Sequence, residues 1–130
     1  MWFRNMKVRL LFCTTVCMYM FASQAVAHHS FAAFDRETKL TVEGSVIEVQ
    51  WANPHVWVQV NVLNKSGELE DYAFEGFGTN ILMRKGWSRS SLKPGDKVTV
   101  EWSPFRDGTK GGMLIRVKRA DGMVLESYTE

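Results

Sequence analysis

A small closed β-barrel is the fold this chain predicts, and three observations predict it. Between residues 40 and 128 apolar side chains alternate with polar ones in short runs, the pattern of strands with one buried face. The alternation of the first run slips by one residue partway along, which demands a bend. Only one segment, Ile81-Leu82-Met83-Arg84-Lys85, reads as a helix, and it falls between the third and fourth strands.

In the first strand Leu40, Val42 and Val46 share one parity, while Ile47, Val49 and Trp51 take the other. A bulge between Gly44 and Ile47 reconciles the two. Asn53-Pro54 then breaks the run, because proline has no amide hydrogen to give a ladder. Val56 to Val62 is the clearest strand: its valines face the core, and His55, Trp57, Gln59 and Asn61 share the opposite face. Asn64 to Gly67 is a turn, and Leu69 to Glu75 a third strand with Tyr72 and Phe74 inward.

Thr79 or Asn80 can cap the helix, and Gly86 ends it. Trp87 to Leu92 is a further short turn. Lys93-Pro94-Gly95-Asp96 is a tight turn in which proline presets φ and glycine takes the positive one. Val98, Val100 and Trp102 line a fourth strand. After a loop over 106–112, Met113, Ile115 and Val117 line a fifth. Asp121-Gly122 turns into a last strand near Met123 to Tyr128. This order makes the chain all-β with little helix: an OB-fold-like Greek-key barrel of five to six strands with one short helix between strands 3 and 4. An SH3-like barrel is the alternative.

The first twenty-seven residues are of another kind. Arg4, Lys7 and Arg9 precede an apolar run, Leu10 to Phe21, and Ala25-Val26-Ala27 offers the small residues a signal peptidase needs. The run is shorter than the roughly 20 residues that cross a bilayer. The expectation is a cleaved secretory signal over 1–27, a periplasmic protein with no membrane span after cleavage, an arm over 28–39 and a single barrel over 40–130. The segment 1–27 holds both cysteines, three of the sixteen basic residues and none of the fourteen acidic ones. The mature chain then has thirteen basic against fourteen acidic residues, a formal charge of −1. Such a balance offers no pull toward nucleic acid.

His28-His29-Ser30-Phe31 after the export signal, Glu43-Gly44-x-Val46, Trp51-x-Asn53-Pro54-His55-Val56-Trp57, Phe74-Glu75-Gly76, Arg84-Lys85-Gly86-Trp87 and Leu92-Lys93-Pro94-Gly95-Asp96 follow one another in that order. Across essentially the whole mature chain they resemble a family of small exported bacterial proteins known only as a domain of unknown function. The resemblance implies an exported single small β domain. It implies no activity and no site residues.

Cleavage after Ala27 would leave His28 as the first residue. A terminal histidine chelates through its α-amine and Nδ1, and a second imidazole completes a T of three nitrogens, a set suited to Cu(II). His55 is the expected second ligand and His29 the less simple one, with Asp35 or Glu75 available to complete the shell. The amine ordinarily titrates at about 7.7–8.0, so metal competes with a proton near neutrality. The other reading is a metal-free binding or scaffold domain, in which Trp57, Gln59 and Asn61 meet an envelope protein or a small ligand. For an enzyme the mature chain offers no cysteine nucleophile, no Gly-x-Ser-x-Gly elbow, no phosphate loop and no HExxH pair.

Overall fold

The computed structural model describes residues 31–129. The described chain has six strands: β1 Leu40–Gln50, β2 Trp57–Leu63, β3 Leu69–Glu75, β4 Lys97–Pro104, β5 Gly111–Arg119 and β6 Val124–Glu126. A single helix with named bounds, α1 Thr79–Arg84, lies between β3 and β4. The strand order is β3-β2-β1-β4-β5-β6, with β3 also paired to β5 in parallel. That last pairing closes β1 to β5 into a barrel, so every barrel strand has two neighbours and β6 is an addition. This is the OB arrangement, and the SH3-like alternative does not describe it.

The valine ladder of β2 supplies the centre of the core: Val58 and Val60 are fully buried, as are Val56, Phe74, Val100, Leu114, Val117 and Leu82 of the helix. Trp102 and Trp87 join them, and Tyr72, Val49 and Trp51 pack against them half-buried. The expected slip in β1 is present as a register shift between Val46 and Glu48 against β2. Ile47 is the extra residue of that bulge. It does not turn inward with Val49 and Trp51, as its parity predicts, but stays 37% exposed.

A second bulge alters β5. Trp102 pairs with Leu114 and Glu101 with Arg116, so Ile115 has no opposite residue. Parity along β5 therefore changes there, and Leu114, not Met113 or Ile115, joins Val117 in the central cluster. Met113 and Ile115 are buried as well, outside that cluster. The chain after β6 keeps following β5: the Ser127 amide donates to the Ile115 carbonyl and the Tyr128 amide to that of Leu114.

The turns form as their residues demand. Gly95 has φ 91° between Pro94 and Asp96, and the Asp96 amide donates back to the Lys93 carbonyl at 3.0 Å. Gly122, at φ 88°, turns β5 into β6.

Ahead of β1, Phe34 is pinned down. It forms a bridge with Phe105 of the β4–β5 loop, and the Asp35 amide donates to the Pro104 carbonyl at 2.8 Å. The Phe34 ring is 2% exposed and stacks on Phe105 at 5.1 Å between centroids. Among the described residues no helix is long and apolar enough to cross a membrane. Truncating Phe34 to Ala is expected to cost about 3 kcal/mol by chemical denaturation, as for other buried aromatic rings. The same variant should lose amide exchange protection at Asp35 while the barrel amides keep theirs.

Candidate functional site

Three pieces of chain meet at one end of the barrel: the β1–β2 loop, the β3–α1 connection and the segment after β6. The Asn53-Pro54 bond in the first is cis. Asn53 turns its side chain toward the helix, where Oδ1 accepts from the Thr79 amide at 2.9 Å and from the Thr79 hydroxyl at 3.0 Å. The helix cap therefore differs from the expectation. Gly78 occupies the N-cap position with no side chain to give, and neither Thr79 nor Asn80 caps; the acceptor comes from 26 residues upstream. A Cβ at Gly78 would stand 2.7 Å from the Pro54 carbonyl oxygen and 2.8 Å from Asn53 Oδ1, so close an approach needs glycine.

His55 follows directly. Its Nδ1 lies 3.1 Å from the Gly76 carbonyl oxygen and 3.2 Å from Glu75 Oε1. A carbonyl can only accept, so Nδ1 carries the proton, shared between two acceptors, and Nε2 is the nitrogen left for another partner. The register of β2 and β3 sets this geometry, because Trp57 pairs with Glu75 and His55 stands two residues before Trp57. The His55 side chain is 29% exposed and that of Glu75 only 13%. Burial pushes the Glu75 carboxyl above the usual carboxylate range, and the nearby His55 pulls it partly back.

Tyr128 completes the cluster. Its ring centroid is 3.8 Å from that of Phe77. Burial, and after it the negative charge of Glu75, push the Tyr128 phenol up to about 12. The Phe77 amide donates to Ser127 Oγ, the Trp87 indole to the Glu126 carbonyl, and Lys85 Nζ to Thr129 Oγ1. The C-terminal segment is thus tied down across the helix region. No pattern in its sequence marks it, since its partners lie 39 to 50 residues away.

The other expected site residues lie apart. Trp57, Gln59 and Asn61 do share the outer face of β2. Trp57 is half-buried and its ring stacks on Phe105 at 6.5 Å, so Phe34, Phe105 and Trp57 form a continuous aromatic run. Asn61 donates from Nδ2 to Asp71 Oδ1 and lines a cavity of about 590 Å³ at the opposite end of the barrel. Asp35 accepts from the Thr38 hydroxyl at 2.7 Å, which holds its carboxyl below the usual range. His28 and His29 lie outside the described residues. Among the described residues no three His, Cys, Asp or Glu side chains gather to hold a metal.

The profile of the family of unknown function DUF6152 matches residues 16–116, and the chain belongs to that family. The match takes in His28, His55 and Glu75 and stops before Tyr128. No curated protein and no solved structure matches the chain.

Two measurements check this geometry. Asn53→Ala should destabilise the protein by about 1 kcal/mol in urea, the usual cost of a lost cap. Gly78→Ala should cost more, because its methyl group displaces both the cap and the loop. In an alkaline absorbance titration Tyr128 should ionise near 12, against an ordinary 10.0. The folded value lies above the unfolded one, so the neutral phenol contributes stability that is complete below pH 10.0 and is lost as pH rises toward about 12. Tyr128→Phe should abolish that loss, and Glu75→Gln should move the ionisation down.

Proposed function

We propose that this is an exported, periplasmic copper-binding domain. Cu(II) is held by the α-amine and Nδ1 of His28 at the processed N-terminus and by Nε2 of His55. The observation that carries this reading is the commitment of His55 Nδ1 to Gly76 and Glu75. Metal-ligating histidines donate their second ring N–H to a carbonyl or carboxylate, which fixes the ring and makes the other nitrogen a better ligand. His55 has both acceptors in place and enough exposure for Nε2 to meet an incoming ion.

The place where Phe34 is anchored supports the same reading. Phe34 is anchored on Phe105, which stacks on Trp57, the cross-strand neighbour of Glu75. Five residues, 29–33, lie between His28 and that anchor. Glu75 then acts through His55 and has no need to touch the metal.

The test uses protein recovered from the periplasm. Intact mass should place the N-terminus at His28. Electron paramagnetic resonance of the Cu(II) form should show nitrogen coupling from a single site per chain. His55→Ala should change that coupling. Glu75→Gln should weaken binding by about 10–100-fold, the usual cost of losing an outer hydrogen bond to a metal-bound histidine. A methionine added before His28 should abolish the chelate. A different N-terminus, or binding indifferent to His55, refutes the reading and leaves a metal-free binding domain.

A further inference from the structure

A cavity of about 420 Å³ lies beside His55, between the β1–β2 loop and α1. Its chemistry is one-sided. No Asp or Glu is among the residues that line it. Arg84 reaches it from the last turn of α1 with its guanidinium unpaired among the described residues, and Asn80 stands one turn earlier on the same side. Asn53 adds a third donor. Its Oδ1 is already spent on Thr79, so its amide hydrogens are the end left over.

The remaining wall is His55, Gly78 and the apolar residues Pro54, Phe77 and Ile81. Phe77 packs against the tilted ring of Tyr128 and its amide is held by Ser127 Oγ, while Ile81 remains 37% exposed. A guanidinium with amide donors beside it matches a planar carboxylate, and a carboxylate alone would leave the apolar wall wet. A small pocket with an apolar lining and a few convergent polar groups is the usual form of a small-molecule site.

We propose that this cavity binds a small organic carboxylate, its anionic end on Arg84, Asn80 and Asn53 and its hydrocarbon body against Pro54, Phe77 and Ile81. The site belongs to the protein without metal and does not depend on copper binding. Arg84 is exposed and makes no contact that the fold needs, so its replacement removes the charge without removing the barrel.

The experiment is an NMR titration of isotopically labelled, metal-stripped protein with sodium butyrate, with butyramide as the uncharged analogue and inorganic phosphate as the anion lacking a hydrocarbon body. Butyrate should give saturable shifts at Asn53, Phe77, Asn80 and the Arg84 Nε, with affinity on the order of millimolar for so small a ligand. Arg84→Gln should weaken binding at least about tenfold, as expected for a lost charge-assisted pair, with an unchanged melting temperature. Asn80→Ala should weaken it less. Equal shifts with butyramide, no shifts at these residues, or butyrate binding unchanged in Arg84→Gln would overturn the proposal. Tighter saturation by phosphate than by butyrate would overturn the carboxylate assignment.

Discussion

β5 can lie between β3 and β4 only because two of its consecutive residues have no side chains. A Cβ at Gly111 would collide with the Ala73 carbonyl, and one at Gly112 with that of Ser103, so neither strand nor counter-strand could approach. Gly111 also sits at φ 119°, which side-chain-bearing residues rarely adopt. With both glycines in place Glu75 pairs with Met113, and the sheet closes. An open five-stranded sheet would leave both β3 and β5 with unpaired edges and would expose the face that Phe74 and Leu114 bury. Closure also sets the course of everything beyond it. β6 takes the edge of β5 that β3 leaves free, and the chain after β6 follows the same edge back to Phe77.

The cluster around His55 follows from that closure. Glu75 is the last residue of β3, and its carboxylate is surrounded by a histidine, a tyrosine ring and the barrel wall. Burial and a positive neighbour act on it in opposite directions, and burial is the stronger. The same carboxylate raises the cost of ionising Tyr128. Three titratable side chains from three separate elements thus share one environment, and His55 among them lines a cavity with Asn53, Asn80 and Arg84. The loop that carries it is also rigidly attached. Asn53 caps α1 and His55 bonds to the β3 end, so neighbouring residues brace the loop against two different elements.

The strand order, the short helix and the bend in β1 were legible because each has a local cause: period-two alternation, a slip in parity, and turn residues where the chain reverses. The inward valines of β2 and the glycine-terminated helix are of the same kind. Two of the differences share a source. Ile47 and Ile115 are bulge residues, and parity cannot say which residue of a bulge is the unpaired one. The helix cap was misplaced because its acceptor, Asn53, is remote in sequence and its N-cap residue, Gly78, has no side chain to signal it.

By its sequence alone the chain determined which residues form strands, where it turns and which β2 face is buried. These depend on neighbours a few residues apart, and their pattern survives without any knowledge of the fold. It also set His55 beside Asn53-Pro54 and joined Glu75 to Gly76. Only the tertiary structure decided that these two motifs meet, that Nε2 is the free nitrogen of His55, and that Tyr128 returns to lie beside them. The His55–Gly76 contact spans 21 residues of chain, and the one that ties Ser127, the neighbour of Tyr128, to Phe77 spans 50. They exist only once cross-strand register and barrel closure have fixed distances that no local pattern contains.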